Sequence, residues 1–328
     1  MKYLELEKHL SQALAGKDDF RPVYVVSGAD AYLRQSSVAM FKGLLISDYL
    51  DFNLSVISLS LGMSSVLDAL TLYPVFDDRK VVIVPDVNDK LNEQDKTLLA
   101  TYLKDPNPTA ILVLVDDGKN LVDVVKEHKI ECVDCGKLDE NSIGIIVGRI
   151  LDEPPRKNID RTALHALVEK TLGDMSRIVC EVTKLKSYSA DTITPADVEV
   201  MVSPDLEFAL YELTGAVSEK QAEKALEILD VFFKQGVKGY TLINMLYNQY
   251  RKMLHAELHK TNNAEVLAPM LEISSKQLYH VRRVSKNYTQ MRLKQAVDYL
   301  HNLQYAIVSG KRLEHTAVHD AVLTLLNI

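Results

Sequence analysis

Cysteine is scarce in this chain, with Cys132, Cys135 and Cys180 the only three among 328 residues. A small, odd number excludes a disulfide scaffold and agrees with a reducing compartment. Long hydrophobic runs are missing as well. No apolar stretch approaches the roughly 18 residues of a membrane span. The opening MKYLELEKHL sets two glutamates among its apolar residues, which does not read as a secretory signal. The expectation is a cytoplasmic protein with no membrane partner. Glycine and proline are few, 13 and 10, so disorder is not expected. Nor is positive charge in excess. With 38 Lys and Arg against 45 Asp and Glu the net charge is -7. That excludes a protein that coats nucleic acid unaided, because neutralising phosphates needs clustered cations. Neither a Gly-x-Ser-x-Gly elbow nor a His-Glu-x-x-His string occurs, which removes two hydrolytic frames.

What is present is a chain of ordinary composition, 47% hydrophobic and 25% charged, too long for one typical core and suited to two or three domains. Its acidity is uneven: residues 1–139 carry a net -7 and residues 140–204 a net -2, whereas residues 205–328 carry +2.

The most informative segment is RPVYVVSGADAYLRQSS, Arg21 to Ser37. A β-branched run leads through Gly28 into an amphipathic helical pattern, the way a nucleotide-binding strand, loop and helix begins. Counting G-x-x-x-x-G-K-[ST] from Gly28, the second glycine falls on Leu33, the lysine on Arg34 and the hydroxyl residue on Gln35. Without that glycine the backbone cannot wrap phosphates closely, and without the hydroxyl nothing is offered to Mg²⁺. We read the segment as a degenerate, non-binding phosphate loop, with no cofactor and no metal.

Apolar runs bounded by turns predict strands at Val23–Ser27, Leu54–Ser58, Lys80–Pro85, Ala110–Val115 and near Cys132, alternating with helices at Ala31–Leu50, Ser64–Leu72 and Glu93–Tyr102. That alternation implies a parallel sheet covered on both faces. From Ser142 onward no convincing strand is expected. Helices at Ser142–Leu151, Arg161–Thr171 and Asp174–Tyr188, with a short last one after Thr194, form a small module over 140–204. After the Ser203-Pro204 break, amphipathic patterns from Asp205 to Leu326 predict an all-α bundle over 205–328. Asp116 and Asp117, with Asn120 beyond, form a paired-carboxylate motif that reads more simply as a solvated strand end. Cys132-x-x-Cys135, after His128, would be half of a zinc site, but alternation along a strand sends the two thiols to opposite faces.

This order of parts resembles the delta-subunit family of the bacterial DNA polymerase III clamp loader. VYVVSGADAYLRQS, LTLYPVFDDRKVVIV, GDMSRIVCEVTKLKSY, FFKQGVKGYTLINMLYNQYRKML and LQYAIVSGKRLEHTAVHDAVLTLL carry the resemblance along the whole chain. It implies an α/β P-loop-like (AAA+) domain over 1–139, a three-helix lid over 140–204 and an all-α collar over 205–328. The implied role is binding and opening of the sliding clamp for loading onto primed DNA, without ATP hydrolysis and without a catalytic residue. The chain would be an accessory subunit of a DNA-directed DNA polymerase, a nucleotidyltransferase holoenzyme. Asp86 falls where such ATPases hold metal, yet Val87 follows where the catalytic glutamate belongs. Ser176 matches the sensor arginine, with Arg177 one place later. Matched through Arg79, the clamp-binding residues are a plug of Pro74, Val75 and Phe76 flanked by Leu72 and Tyr73, with valine at a position where the family often has leucine. Implied partners are the beta sliding clamp, the gamma/tau and delta-prime subunits of a hetero-pentamer, and primed DNA within the assembly. Arg282, Arg283, Lys286, Lys311 and Arg312 are candidate phosphate contacts. Two alternatives stand beside this reading: a divergent AAA+ ATPase using Arg34 in place of lysine, and a delta-prime-like loader subunit.

Overall fold

Val23, Val25, Val82, Val84, Leu112 and Leu114 are buried in one apolar cluster, while Tyr24, Val26, Val81, Ile83, Ile111 and Val113 are buried in another. This alternation along unbroken apolar runs is what a sheet covered on both faces requires. The structure is a computed structural model that describes residues 1–85, 87, 91–117, 121, 130–261, 263–273 and 275–328. It divides into two compact units, Met1–Val202 and Ser203–Ile328.

In the first unit, strands β1 (Val23–Ser27), β2 (Leu54–Val56), β3 (Lys80–Val84), β4 (Ala110–Asp116) and β5 (Glu131–Asp134) form one parallel sheet in the order β2-β3-β4-β1-β5. Val25 lies beside Leu114 on one flank and Cys132 on the other. One face is covered by α1 (Tyr3–Leu14) and α2 (Ala31–Lys42) through Leu6, Leu10, Leu33 and Phe41. A short α3 (Leu50–Asn53) leads into β2. The other face is covered by α4 (Met63–Thr71) and α5 (Glu93–Tyr102) through Met63, Val66, Leu70 and Leu99. Helix α1 was not among the expected elements. Helix α2 also stops at Lys42 instead of continuing to Leu50. Gly43 disfavours another turn, and the chain then bends so that Leu45 is buried in the core.

Helices α6 (Glu140–Asp152), α7 (Arg161–Lys170), α8 (Met175–Tyr188) and α9 (Pro195–Met201) belong to the same unit. Their apolar stripes, among them Ile143, Val147, Leu167, Ile178, Val182 and Val198, join the cluster that α1 and α2 line. Side chains cap three of them: Asp139 accepts from the Ser142 amide, Asp174 from the Arg177 amide, and Thr194 with Asp197 forms a capping box ahead of Pro195. The expectation of no strand after Ser142 is corrected here. β6 (Asn158–Ile159) and β7 (Thr192–Ile193) pair in parallel, and two residues apiece are too few to leave an alternating signature.

The second unit consists of α10 (Leu206–Ser218), α11 (Ala222–Lys234), α12 (Gly239–Leu258), α13 (Ala264–Met270), α14 (Ser275–Ser285), α15 (Gln290–Val308) and α16 (Glu314–Asn327). Leu242, Leu246, Tyr250 and Met253 of α12 run through one apolar core with Val281, Leu300 and Val322. Inside it the Tyr250 and Tyr288 hydroxyls bond at 3.1 Å, so neither buried oxygen is left without a partner.

Candidate functional site

Between the end of α4 and the start of β3 the chain turns outward. Leu72, Tyr73, Val75 and Phe76 are 57%, 80%, 38% and 74% exposed, and Pro74 is half-buried. All five expected clamp-binding residues therefore lie on one loop. Single exposed apolar residues are ordinary, but a contiguous apolar cluster marks an interaction surface. The loop is also anchored. The Asn107 side chain donates to the Leu70 carbonyl at 2.7 Å, and Asp77 Oδ2 accepts from the Ile46 amide at 2.9 Å. The Arg79 guanidinium lies 3.9 Å from the centroid of the Phe20 ring, a cation–π contact at the base of the loop. The Phe76 ring meets Tyr49 with centroids 5.0 Å apart. Beside Phe76 an open pocket of about 440 Å³ is lined by Leu14, Leu44, Ile46, Asp77, Asp78 and Arg79. Leu14 and Ile46 are exposed and extend the apolar surface. Nothing in the sequence singled them out, since they lie 26 or more positions from the loop and come to it only through the fold.

At the carboxyl end of β1 the phosphate-loop frame is closed by the protein itself. Gly28 has φ 148°, and a Cβ built there would fall 2.2 Å from the Cys135 carbonyl carbon. The glycine thus serves a close approach of two backbone segments. In a working phosphate loop the backbone amides aim at the ligand. Here the Gly28 amide donates to the Asp116 carbonyl at 3.3 Å and the Asp30 amide to the Cys135 carbonyl at 3.0 Å. Asp30 caps α2, its Oδ1 accepting from the Leu33 amide at 3.0 Å, so a carboxylate occupies the end of the helix where an anion would sit. Leu33 is buried in the core and Gln35 is exposed. The Arg34 guanidinium folds back to donate to the Gly28 carbonyl.

The remaining sequence candidates separate. Val87 is buried among apolar side chains. Asp86, Asn120 and His128 lie outside the described residues. Asp116 is not a solvated strand end: it is buried and faces the Ser27 hydroxyl at 3.4 Å, because β1 pairs with β4 up to its last residue. Cys132 packs against the α4–α5 face of the sheet and Cys135 against the α1–α2 face, which separates the two thiols as alternation predicts. Burial pushes the Cys135 thiol up to about 11, and burial raises Cys132 as well. Among the described residues no group of His, Cys, Asp and Glu could hold a metal ion, and no helix is long and apolar enough to cross a membrane. Ser176 is exposed and Arg177 half-buried on the first turn of α8. In the second unit, Tyr279, Arg282, Arg283 and Lys286 share a side of α14 and its exit. With Lys260 and Glu257 they line a cavity of about 780 Å³. Arg312 pairs with Asp320, and Lys311 lies 5.6 Å from the Tyr305 ring centroid.

Comparison with known proteins bears on both units. Residues 24–129 match the family described as "DNA polymerase III, delta subunit", and residues 207–325 match "DNA polymerase III delta subunit, C-terminal domain". The chain is similar to DNA polymerase III subunit delta of Bacillus subtilis, 24% identical over 336 residues, with 94% of each chain covered. In three dimensions it is similar to a Bacillus subtilis DNA clamp loader delta protein, with TM-score 0.71 and 21% identity over 98% of this chain and 100% of the other. Two matches to the same subunit, in order and together spanning well over half of the residues, on a mixed α/β unit followed by a helical one, show that the chain belongs to the DNA polymerase III delta-subunit family.

Proposed function

We propose that this delta subunit binds and opens the sliding clamp through the loop Leu72–Phe76, as a mechanical element without an active site of its own. The observation that carries the reading is the exposed apolar cluster at 72–76, held on an anchored loop at the edge of a folded unit. Buried against a partner, the Phe76 side chain alone contributes roughly 1.5–3 kcal/mol. An aromatic anchor of this kind carries a disproportionate share of an interface.

The absence of ATP hydrolysis is part of the same proposal. It is supported by the loop amides bonded to Cys135 and Asp116, the Asp30 carboxylate at the start of α2, and a buried valine at position 87. A general base for water is missing there. In this reading 1–139 is a degenerate AAA+ domain, 140–204 its helical lid and 205–328 the collar through which gamma/tau and delta-prime subunits assemble. Primed DNA is met only within that assembly, in the cytoplasm. The cation-lined cavity at Arg282, Arg283 and Lys286 is the candidate phosphate contact.

The test is nucleotide-free binding to the cognate sliding clamp, with the Val75→Ala/Phe76→Ala double variant in parallel. Tight binding that disappears in the variant is the expected result. Equal binding by both proteins would move the contact elsewhere, and no binding by either would remove the reading.

A further inference from the structure

We propose that Asn53, a buried residue with no access to any partner, presets the loop that carries Val75 and Phe76 and is therefore a positioning residue for clamp binding. The inference rests on 72–76 as the clamp-contacting element and names what holds that element in shape.

Asn53 is the last residue of α3 and is 0% exposed. Its carboxamide engages the main chain of one residue from both sides. Oδ1 accepts from the Val75 amide at 2.8 Å, and Nδ2 donates to the Val75 carbonyl at 2.8 Å. This is the reciprocal pairing that two residues make in an antiparallel ladder, supplied here by a side chain. Nδ2 also donates to the Tyr49 carbonyl at 3.3 Å. The amide group therefore ties the backbone behind Phe76 to the turn that carries Tyr49, whose ring meets Phe76.

The next residue shows why a tie is needed. Phe76 has φ 56°, a left-handed conformation that bulky side chains rarely adopt and that persists only where the surroundings enforce it. Both neighbours are held: Val75 by Asn53, and Asp77 through its bond to the Ile46 amide. The side chains of Leu72, Tyr73 and Phe76 stay exposed while Val75 and Asp77, on either side of Phe76, are held. Association then orders little that is not already ordered, and a pre-ordered contact binds more tightly than a flexible one of the same composition.

The experiment compares the full-length protein with Asn53→Ala, Asn53→Asp and Val75→Ala/Phe76→Ala. It measures nucleotide-free affinity for the cognate sliding clamp and hydrogen exchange of the 74–77 amides in the free protein. In Asn53→Ala the Val75 amide is expected to exchange faster and the clamp Kd to rise by about tenfold, the cost of ordering one or two residues at an interface. Asn53→Asp keeps an acceptor for the amide but sets an anionic oxygen against the Val75 carbonyl, and it is expected to weaken binding similarly. Accelerated exchange with wild-type affinity overturns the inference. If neither Asn53 variant folds, the exposed second tie decides: Asp77→Ala should weaken binding and Asp77→Asn, which keeps the acceptor, should restore it. Wild-type affinity in Asp77→Ala overturns presetting. Wild-type affinity in the Val75/Phe76 double variant instead removes the functional reading beneath it, so the two failures are distinguishable.

Discussion

The Asp30 carboxylate joins the first turns of two helices, its Oδ2 accepting from the Met175 amide at 3.3 Å at the start of α8 while its Oδ1 caps α2. These residues are 145 positions apart. A helix N-terminus attracts anions because its first amides are unpaired and its dipole is positive there. Here the anion is part of the chain, and it ties α8 to the β1–α2 loop.

Asp30→Ala removes a cap and the bond to Met175. Removing an aspartate cap costs about 0.5–2 kcal/mol, so the variant should lose about 1–3 kcal/mol of stability in urea unfolding once the second bond is included. Asp30→Asn, which retains the capping oxygen, should lose less. A change within about 0.5 kcal/mol in Asp30→Ala, the range of an ordinary surface substitution, would show that the bridge does not hold the unit together.

Magnesium-dependent ATP turnover by the purified chain is expected to stay at background. Leu33→Gly, which restores the missing glycine, should destabilise by about 2–5 kcal/mol through the cavity it opens in the core and should not create nucleotide binding. Turnover that Arg34→Ala abolishes would instead favour an ATPase.

Phe76→Gly separates strain from recognition. Glycine adopts φ 56° freely, so relief of backbone strain, about 1–3 kcal/mol, offsets removal of the ring packing against Tyr49, and thermal stability should fall little or rise. Clamp affinity should fall at least about tenfold, since roughly 1.5–3 kcal/mol of apolar burial is removed. A variant that binds like the wild type would show that Phe76 is not the anchor.

Thiol chemistry follows burial. At pH 8, iodoacetamide should modify exposed Cys180 first and leave buried Cys135 untouched, as peptide mapping would read. Cys135 also predicts alkaline destabilisation. Its folded pKa is raised to about 11 by burial, above the unfolded value of about 8.5. Its contribution is fully present below the unfolded pKa and is lost as pH rises through the folded one, an effect of about 3 kcal/mol. Burial raises Tyr24 and Tyr250 too, and they act in the same direction. Cys135→Ala should flatten the pH dependence of unfolding between about pH 8.5 and 11; an unchanged profile would assign it to the tyrosines.

If the cavity at α14 meets phosphates, Arg283→Glu/Lys286→Glu in the assembled loader should weaken binding of primed DNA. It should also reduce the salt slope by about one to two units, one for each phosphate no longer neutralised. Unchanged affinity and slope would leave those cations solvated.

Much of this was legible in residues 21–116, where identity and period act locally. Val23–Val26 and Ala110–Val115 announce strands buried on both faces because every position is apolar. The departure from the phosphate-loop pattern can be read from three positions, Leu33, Arg34 and Gln35, because that pattern depends on residue type at fixed spacing. The segment 72–76 stood out only through the family resemblance matched at Arg79, since a short apolar run beside Asp77-Asp78-Arg79 reads equally as core capping the sheet. The extent of α2, by contrast, was overestimated, because Leu44 and Leu45 continue a helical pattern that the chain abandons after Lys42 to bury Leu45.

By itself, then, the sequence determined the alternating strands and helices, the all-helical second unit and the departure of Leu33, Arg34 and Gln35 from the phosphate-loop pattern, since each follows from local period or residue identity. Tertiary structure alone decided that Asn53 holds Val75, that Asp30 reaches Met175, and that Leu14 and Ile46 come beside Phe76. A hydrogen bond between residues 22 or 145 positions apart leaves no periodic trace in a chain, because it exists only after the hydrophobic cores have brought its two ends together.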